Sequence, residues 1–220
     1  MKKIDKDVYC LINAVRDGNK ELVKLLVEIG VNVDIQVKTK DKFINSWDVV
    51  KDVEIAKLLI NASNNDVIIL ANKENYPLHY EEKNVELAEF FIKYGVDVNM
   101  KNDRGETPLH TNGNIEVVKL LIKNGADVNT KNEQYETPLH TNNSVEVVKL
   151  LVEEHDLDVN EKDLDGNTPI HTVSDIEVAK FLLDNGADIS LPNDQGELPI
   201  ITNSNSAIEL LLKSRMEKSQ

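Results

Sequence analysis

The chain has 220 residues, enough to bury one large core or two small ones, and its formal charge is −14. That charge excludes a duplex nucleic-acid binder, which sets clustered Lys and Arg against phosphate, and it suits a basic protein partner. One cysteine, Cys10, excludes an intramolecular disulfide and points to a reducing compartment.

Asp5 and Asp7 interrupt the opening “MKKIDKDVYCLINAV” before any apolar run suited to a signal peptide. No stretch approaches the roughly 20 apolar residues of a membrane span. The expectation is therefore a cytoplasmic, monomeric protein with no membrane partner.

In chain order, the predicted elements repeat. “YCLI” from Tyr9 leads to “ELVKLLVEIG”, “NSWD” from Asn45 to “VEIAKLLINAS”, and “YPLH” from Tyr76 to “VELAEFFIKYG”. “TPLH” from Thr107 leads to “IEVVKLLIKNG”, and a second “TPLH” from Thr137 to “VEVVKLLVEEH”. “TPIH” from Thr168 and “LPII” from Leu198 open the last two units, before “IEVAKFLLDNG” and “AIELLLKS”. The starts at 9, 45, 76, 107, 137, 168 and 198 are spaced by 36, 31, 31, 30, 31 and 30 residues, so seven units fill residues 1–220 as one repeat domain.

Each second block predicts an amphipathic helix; in “NIEVVKLLIKNG” the stripe is Ile115, Val118 and Ile122, widened by Val117 and Leu121. Asp52, Asn84, Asn114, Ser144 and Asp175 precede these blocks as candidate N-caps. Gly30, Gly95, Gly125 and Gly186 follow them as left-handed stops. “TPLH” predicts a helix start, with Thr107 as cap and Pro108 in the first turn. The polar stretches between units predict turns or hairpins.

“GETPLH” from Gly105, “IEVVKLLIKNGADVN” from Ile115, and “GNTPIH” with “NGADIS” later in the chain resemble the ankyrin-repeat family. The likeness runs from Asp7 to Lys213. It implies an all-α repeat solenoid in which each unit is a hairpin loop, an inner helix and an antiparallel outer helix. It also implies protein binding along hairpin tips and inner helices. The family's unit is about 33 residues long, with eight residues between “TPLH” and “EVVKLL”; here Thr111 to Ile115 supply five. Losing three residues removes nearly one helical turn, so the inner helices are expected to shrink to a single turn, except in the full-length first unit, which acts as an end cap.

His79, His110, His140 and His171 belong to the repeated motif and lie in different units, too far apart to share a zinc ion. They are expected to bond loop backbone, with His155 exposed. Cys10 is expected to pack inside the first inner helix, and Trp47 to replace the core leucine of Leu78, Leu109 and Leu139. No phosphate loop, nucleophile elbow or Cys–His pairing appears, which points to no enzyme activity and no cofactor.

The candidate surface comes from the family's contact positions. It comprises Asp103, Arg104 and Glu106; Glu133, Gln134, Tyr135 and Glu136; Leu164, Asp165 and Asn167; and Asp194, Gln195 and Glu197. Phe43, Glu74 and Tyr135 stand where Gly105, Gly166 and Gly196 stand elsewhere, and the two aromatics either anchor a partner or lie back on a neighbouring loop. Thr111, Asn112, Asn142 and Ser174 are inner-helix contact positions disturbed by the shortening. The tip “KDKFI” carries +1, whereas “NDRGE”, “NEQYE”, “DLDGN” and “NDQGE” are all acidic, so the ridge grows acidic toward the C-terminal half.

The expected function is a non-catalytic module binding a basic protein through acidic tips, as a secreted effector of an intracellular bacterium or parasite, delivered into a host cell. The alternatives are an inhibitor or immunity-type protein against a basic toxin or enzyme, and a scaffold or regulatory subunit of an enzyme.

Overall fold

Each Val/Ile/Leu-rich block folds as an outer helix, because its apolar residues recur at helical spacing and line one side. A computed structural model describes residues 3–35, 37–38, 43–44, 46–47, 49–63, 78–79 and 85–218, and its contacts divide the chain into two units, residues 1–100 and 101–220.

In the first unit, α1 (Lys3–Arg16) packs on α2 (Lys20–Glu28), α2 on α3 (Val53–Ala62), and α3 on α4 (Val85–Lys93). Between α2 and α3, β1 (Val37–Lys38) and β2 (Phe43–Ile44) pair antiparallel, with Val37 opposite Ile44 and Lys38 opposite Phe43. Val8 and Ile12 of α1 join Val37 and Ile44 in one buried cluster. Cys10 is exposed rather than packed. The buried side of α1 is Val8, Leu11, Ile12, Ala14 and Val15, and a helix of 3.6 residues per turn puts Cys10 on the far side. Trp47 is buried, as expected of a core residue. The described first-block residues of the units opened at 45 and 76 form turns and bends, not helices. The candidate cap Asn84 and the tip residue Glu74 lie outside the described residues.

The second unit is more regular. α5 (Pro108–Thr111), α7 (Pro138–Thr141), α9 (Pro169–Thr172) and α11 (Pro199–Thr202) are inner helices stacked in order. α6 (Ile115–Lys123), α8 (Val145–His155), α10 (Ile176–Asp184) and α12 (Ser206–Lys218) stack beside them as outer helices. Each of these inner helices has 4 residues, against 14 in α1, so the shortening read from the spacing is real. All seven outer helices are present, and five inner helices occur among the described residues.

The outer stripe is centred differently from its sequence reading. Val117, Val118 and Leu121 are buried, while Ile115 and Ile122 are half-buried at its edges. Leu109, Leu139 and Ile170 are buried in the inner layer. Asp52, Asn114 and Asp175 each accept two backbone amides at a helix start. Ser144 does not; its hydroxyl donates instead to the Glu146 carboxylate. His155 ends α8 half-buried rather than exposed.

A one-turn helix does not persist alone, because nucleation fixes several residues for one hydrogen bond. Two devices hold these. At the start, the Thr107 amide donates to His110 Nδ1 at 3.1 Å, and the same bond recurs from Thr137 to His140 and from Thr168 to His171. At the end, hydroxyls cross between units. Thr141 donates to the His110 carbonyl, Thr172 to that of His140 and Thr202 to that of His171. Buried Asn142 donates to the carbonyls of Leu109 and Asn112 and accepts the Ser144 amide. Asn203 likewise donates to the Val173 carbonyl and accepts the Asn205 amide. These side chains satisfy carbonyls that a longer helix would have bonded internally.

Candidate functional site

The four tips of the second unit share one construction, dictated by an Asn or Asp at the first position. Asn102 Oδ1 accepts the amides of Arg104 and Glu106, and Asn132 those of Gln134 and Glu136. Asp163 and Asn193 repeat the pattern. A short polar side chain bonding its own backbone two residues on is what makes Asn and Asp turn formers. One backbone bond then links each tip to the next: Glu133 N–H to the Arg104 carbonyl, Leu164 N–H to Gln134, and Asp194 N–H to Asp165. The ridge is thus preorganised, and a partner meeting it has little loop entropy to remove.

The histidines brace the ridge from below. Because Nδ1 of His110 and His140 accepts an amide proton, the other ring nitrogen carries the proton and donates. His110 Nε2 reaches the Glu136 carbonyl at 3.0 Å and His140 Nε2 the Asn167 carbonyl at 3.2 Å. Burial pushes the imidazoles of His140 and His171 below their ordinary value of 6.5. Carboxylates of Asp163, Glu136 and Glu161 pull His140 back only in part. His171 differs geometrically, since its buried Nε2 makes no well-formed bond, although the Glu197 backbone lies close enough to favour the charged ring.

Asp103, Arg104, Glu133, Gln134, Tyr135, Leu164, Asp165, Asp194, Gln195 and Glu197 are exposed on the tips. Glu136 and Asn167 are half-buried. Glu106, expected as a contact residue, is only 6% exposed, because its carboxylate turns inward to accept from Asn102 Nδ2 and Arg104. Glu136 is held by Asn132 Nδ2 in the same way. At the last tip the pattern changes: Asn193 Nδ2 bonds Asn167 Oδ1, and Glu197 is left exposed. Phe43 sits in β2 of the first unit, paired with Lys38.

Reading the tips alone missed their lysines. Lys101 and Lys162 each donate to a backbone carbonyl one unit ahead, of Lys131 and Pro192, and Lys131 pairs with Glu161 at 2.5 Å. These three cations sit one residue before the first three tips, whereas Pro192 holds that place before the last. Because Lys101 and Lys162 reach forward, their ammonium groups sit beside the second and the last tip, and Lys162 offsets part of the charge of Asp194 and Glu197. The Thr and Asn cross-bonds were also missed, although “PLHTN” at two starts and “PIITN” at a third carry the signal. Asn112 and Asn142, read as disturbed contact positions, are buried instead, Asn142 in those bonds.

An open polar cleft of about 460 Å³ lies below the last two tips, lined by His171, Asn193, Glu197, Thr202 and Asn203 among others. Among the described residues, no group of three His, Cys, Asp or Glu could hold a metal ion, and no helix is long and apolar enough to cross a membrane.

The chain matches the family model described as ankyrin repeats (3 copies) over residues 46–132 and 111–193. It is similar to three ankyrin repeat proteins of fowlpox virus (strain NVSL). It is 33% identical to FPV222 over 105 residues, 44% of this chain and 14% of that protein. FPV034 is 30% identical over 108 residues, 48% of this chain and 25% of that protein; FPV115 is 30% identical over 103 residues, 46% and 18%. The match thus spans at most a quarter of these relatives' length. With the matched stretches covering more than half of the chain, and with stacked helix pairs carrying braced hairpin tips, the protein belongs to the ankyrin-repeat family, whose stacked units serve as protein–protein interaction modules.

Proposed function

We propose that this chain is a non-catalytic module that binds a basic protein through the hairpin ridge of residues 101–220. The observation that carries the reading is the set of exposed carboxylates, Asp103, Glu133, Asp165, Asp194 and Glu197, on tips fixed by their own Asn and Asp side chains. Complementary charge raises encounter rates and rejects acidic competitors. The overall charge of −14 disfavours nucleic acid in the same place. Relatives encoded by a virus suit an intracellular effector that occupies a host protein, with a virus in place of the expected bacterium or parasite.

Affinity capture from host-cell lysate, followed by mass spectrometry, tests this reading. A basic protein retained by the wild-type chain and lost when Glu133 and Glu197 are changed to Lys supports it. Capture that ignores both reversals removes the site from the ridge.

A further inference from the structure

Tyr135 occupies the backbone position that the other three tips give to glycine. Its φ is 59°, beside 72°, 76° and 80° at Gly105, Gly166 and Gly196. Side chains avoid that region because Cβ approaches the backbone. Packing disfavours a side chain at two of those three glycines as well, but not at Gly196, where an added Cβ meets nothing within 4 Å. A Cβ added at Gly105 would stand 2.8 Å from the Glu133 amide nitrogen, and one at Gly166 would stand 2.7 Å from that of Asp194. A tyrosine is therefore kept where the backbone conformation favours glycine.

The ring does little for the fold in return. It is 55% exposed. Its ring contact among the described residues is Lys131 Nζ, 5.9 Å from the centroid, and that ammonium already pairs with Glu161. A rule broken locally without structural compensation marks a residue held for function.

A second departure lies on the neighbouring tip. Leu164 fills the place of Asp103, Glu133 and Asp194, and it is 52% exposed. Its amide donates to the carbonyl of Gln134, the residue before Tyr135, at 2.9 Å. The two substitutions toward apolar character thus fall on adjoining tips, bordered by the exposed carboxylates of Glu133 and Asp165.

We propose that Tyr135 and Leu164 form the apolar centre of the ridge, which takes a protein segment whose large apolar side chain is flanked by Lys or Arg. Resting on the protein-binding reading above, this names the partner's local chemistry. An aromatic and a leucine exclude water around a central contact, and the rim carboxylates select the flanking cations. A second copy of this chain is a poor occupant, since its ridge would bring like charges together.

The test is a random-peptide display library selected on the full 220-residue chain. Recovered peptides should carry an aromatic or aliphatic residue between basic ones. Tyr135→Gly should weaken their binding at least about tenfold, with a urea midpoint equal to or above that of the wild type, because glycine relaxes the backbone. Leu164→Ser should also weaken binding, and Tyr135→Phe should retain it. A lowered midpoint in Tyr135→Gly, unchanged affinity, or peptides lacking the apolar–basic pattern would overturn the proposal. Glu133→Lys and Glu197→Lys separate the two readings. If they weaken binding while Tyr135→Gly does not, the ridge stands and its apolar centre falls; if none of the four changes matters, both fall.

Discussion

The hydroxyl of Thr141 donates to the carbonyl oxygen of His110 at 2.9 Å, across the boundary between two repeats. With Asn142, it replaces the turn that each inner helix has lost. The threonine bond recurs at the next step from Thr172, but the asparagine bond does not, because Val173 stands in the place of Asn112, Asn142 and Asn203. Asn142→Val should therefore destabilise by about 1–3 kcal/mol, because it leaves buried carbonyls unbonded. Val173→Asn should be neutral or stabilising, by up to about 1 kcal/mol, since its amide can reach the Asn142 carbonyl. Urea unfolding of the two variants checks the opposite signs.

Core truncation gives the second prediction. Leu109, Leu139 and Ile170 are buried between stacked inner helices. Replacing one of them with Ala should cost about 2–5 kcal/mol. Because repeats are stabilised by their neighbours, amide exchange should quicken in the units on both sides of the substitution. Exchange confined to the altered unit would contradict this coupling.

These two cases show what the sequence could disclose. Period and apolar spacing marked seven units, the outer helices and the core Leu109, because helical burial leaves a pattern within a dozen residues. The five-residue gap marked one-turn inner helices. The use of Asn142 was hidden, because its partners are carbonyls of residues 109 and 112, which carry no side-chain signature. Glu106 was read as a free contact for a similar reason: its inward turn depends on Asn102 Nδ2, a choice that the last tip makes differently. The exposure of Cys10 followed from helical phase and could have been read from α1.

The histidines give a pH dependence. Folding holds His140 and His171 below 6.5, mainly by burial. Above that value both the folded and unfolded chains are neutral there, and their contribution to stability is complete. As the pH falls below 6.5 the unfolded chain takes up protons first, and stability declines until the folded pKa values are passed. A protonated ring would also lose its Nδ1 bond to the Thr137 or Thr168 amide. The urea midpoint should thus drop between about pH 7 and 5, and a His140→Gln, His171→Gln double variant should show a shallower drop.

Two glycines separate conformation from crowding. Gly166 and Gly186 both have positive φ, 76° and 91°. An added Cβ meets the Asp194 backbone at the first and nothing within 4 Å at the second. Gly186→Ala should cost roughly 1–2 kcal/mol, while Gly166→Ala should cost on the order of 1–3 kcal/mol more. Equal losses would show that the tips can part without penalty.

Salt dependence is the most direct reading of the ridge. Glu133 and Glu197 are exposed, and neither carboxylate needs a partner to hold its loop, whereas Glu136 is tied to Asn132 and is a poor choice for reversal. Changing Glu133 and Glu197 to Lys should move stability by under about 0.5 kcal/mol each, yet slow association with a captured basic partner. In the wild type, raising salt should lower the association rate more than it raises dissociation, because screening acts on the approach of separated charges. The reversed variant should show a weaker salt slope, having lost part of the field that steers encounter. Stopped-flow association at several salt concentrations measures both slopes, and a salt-independent rate would shift the site to the outer helices.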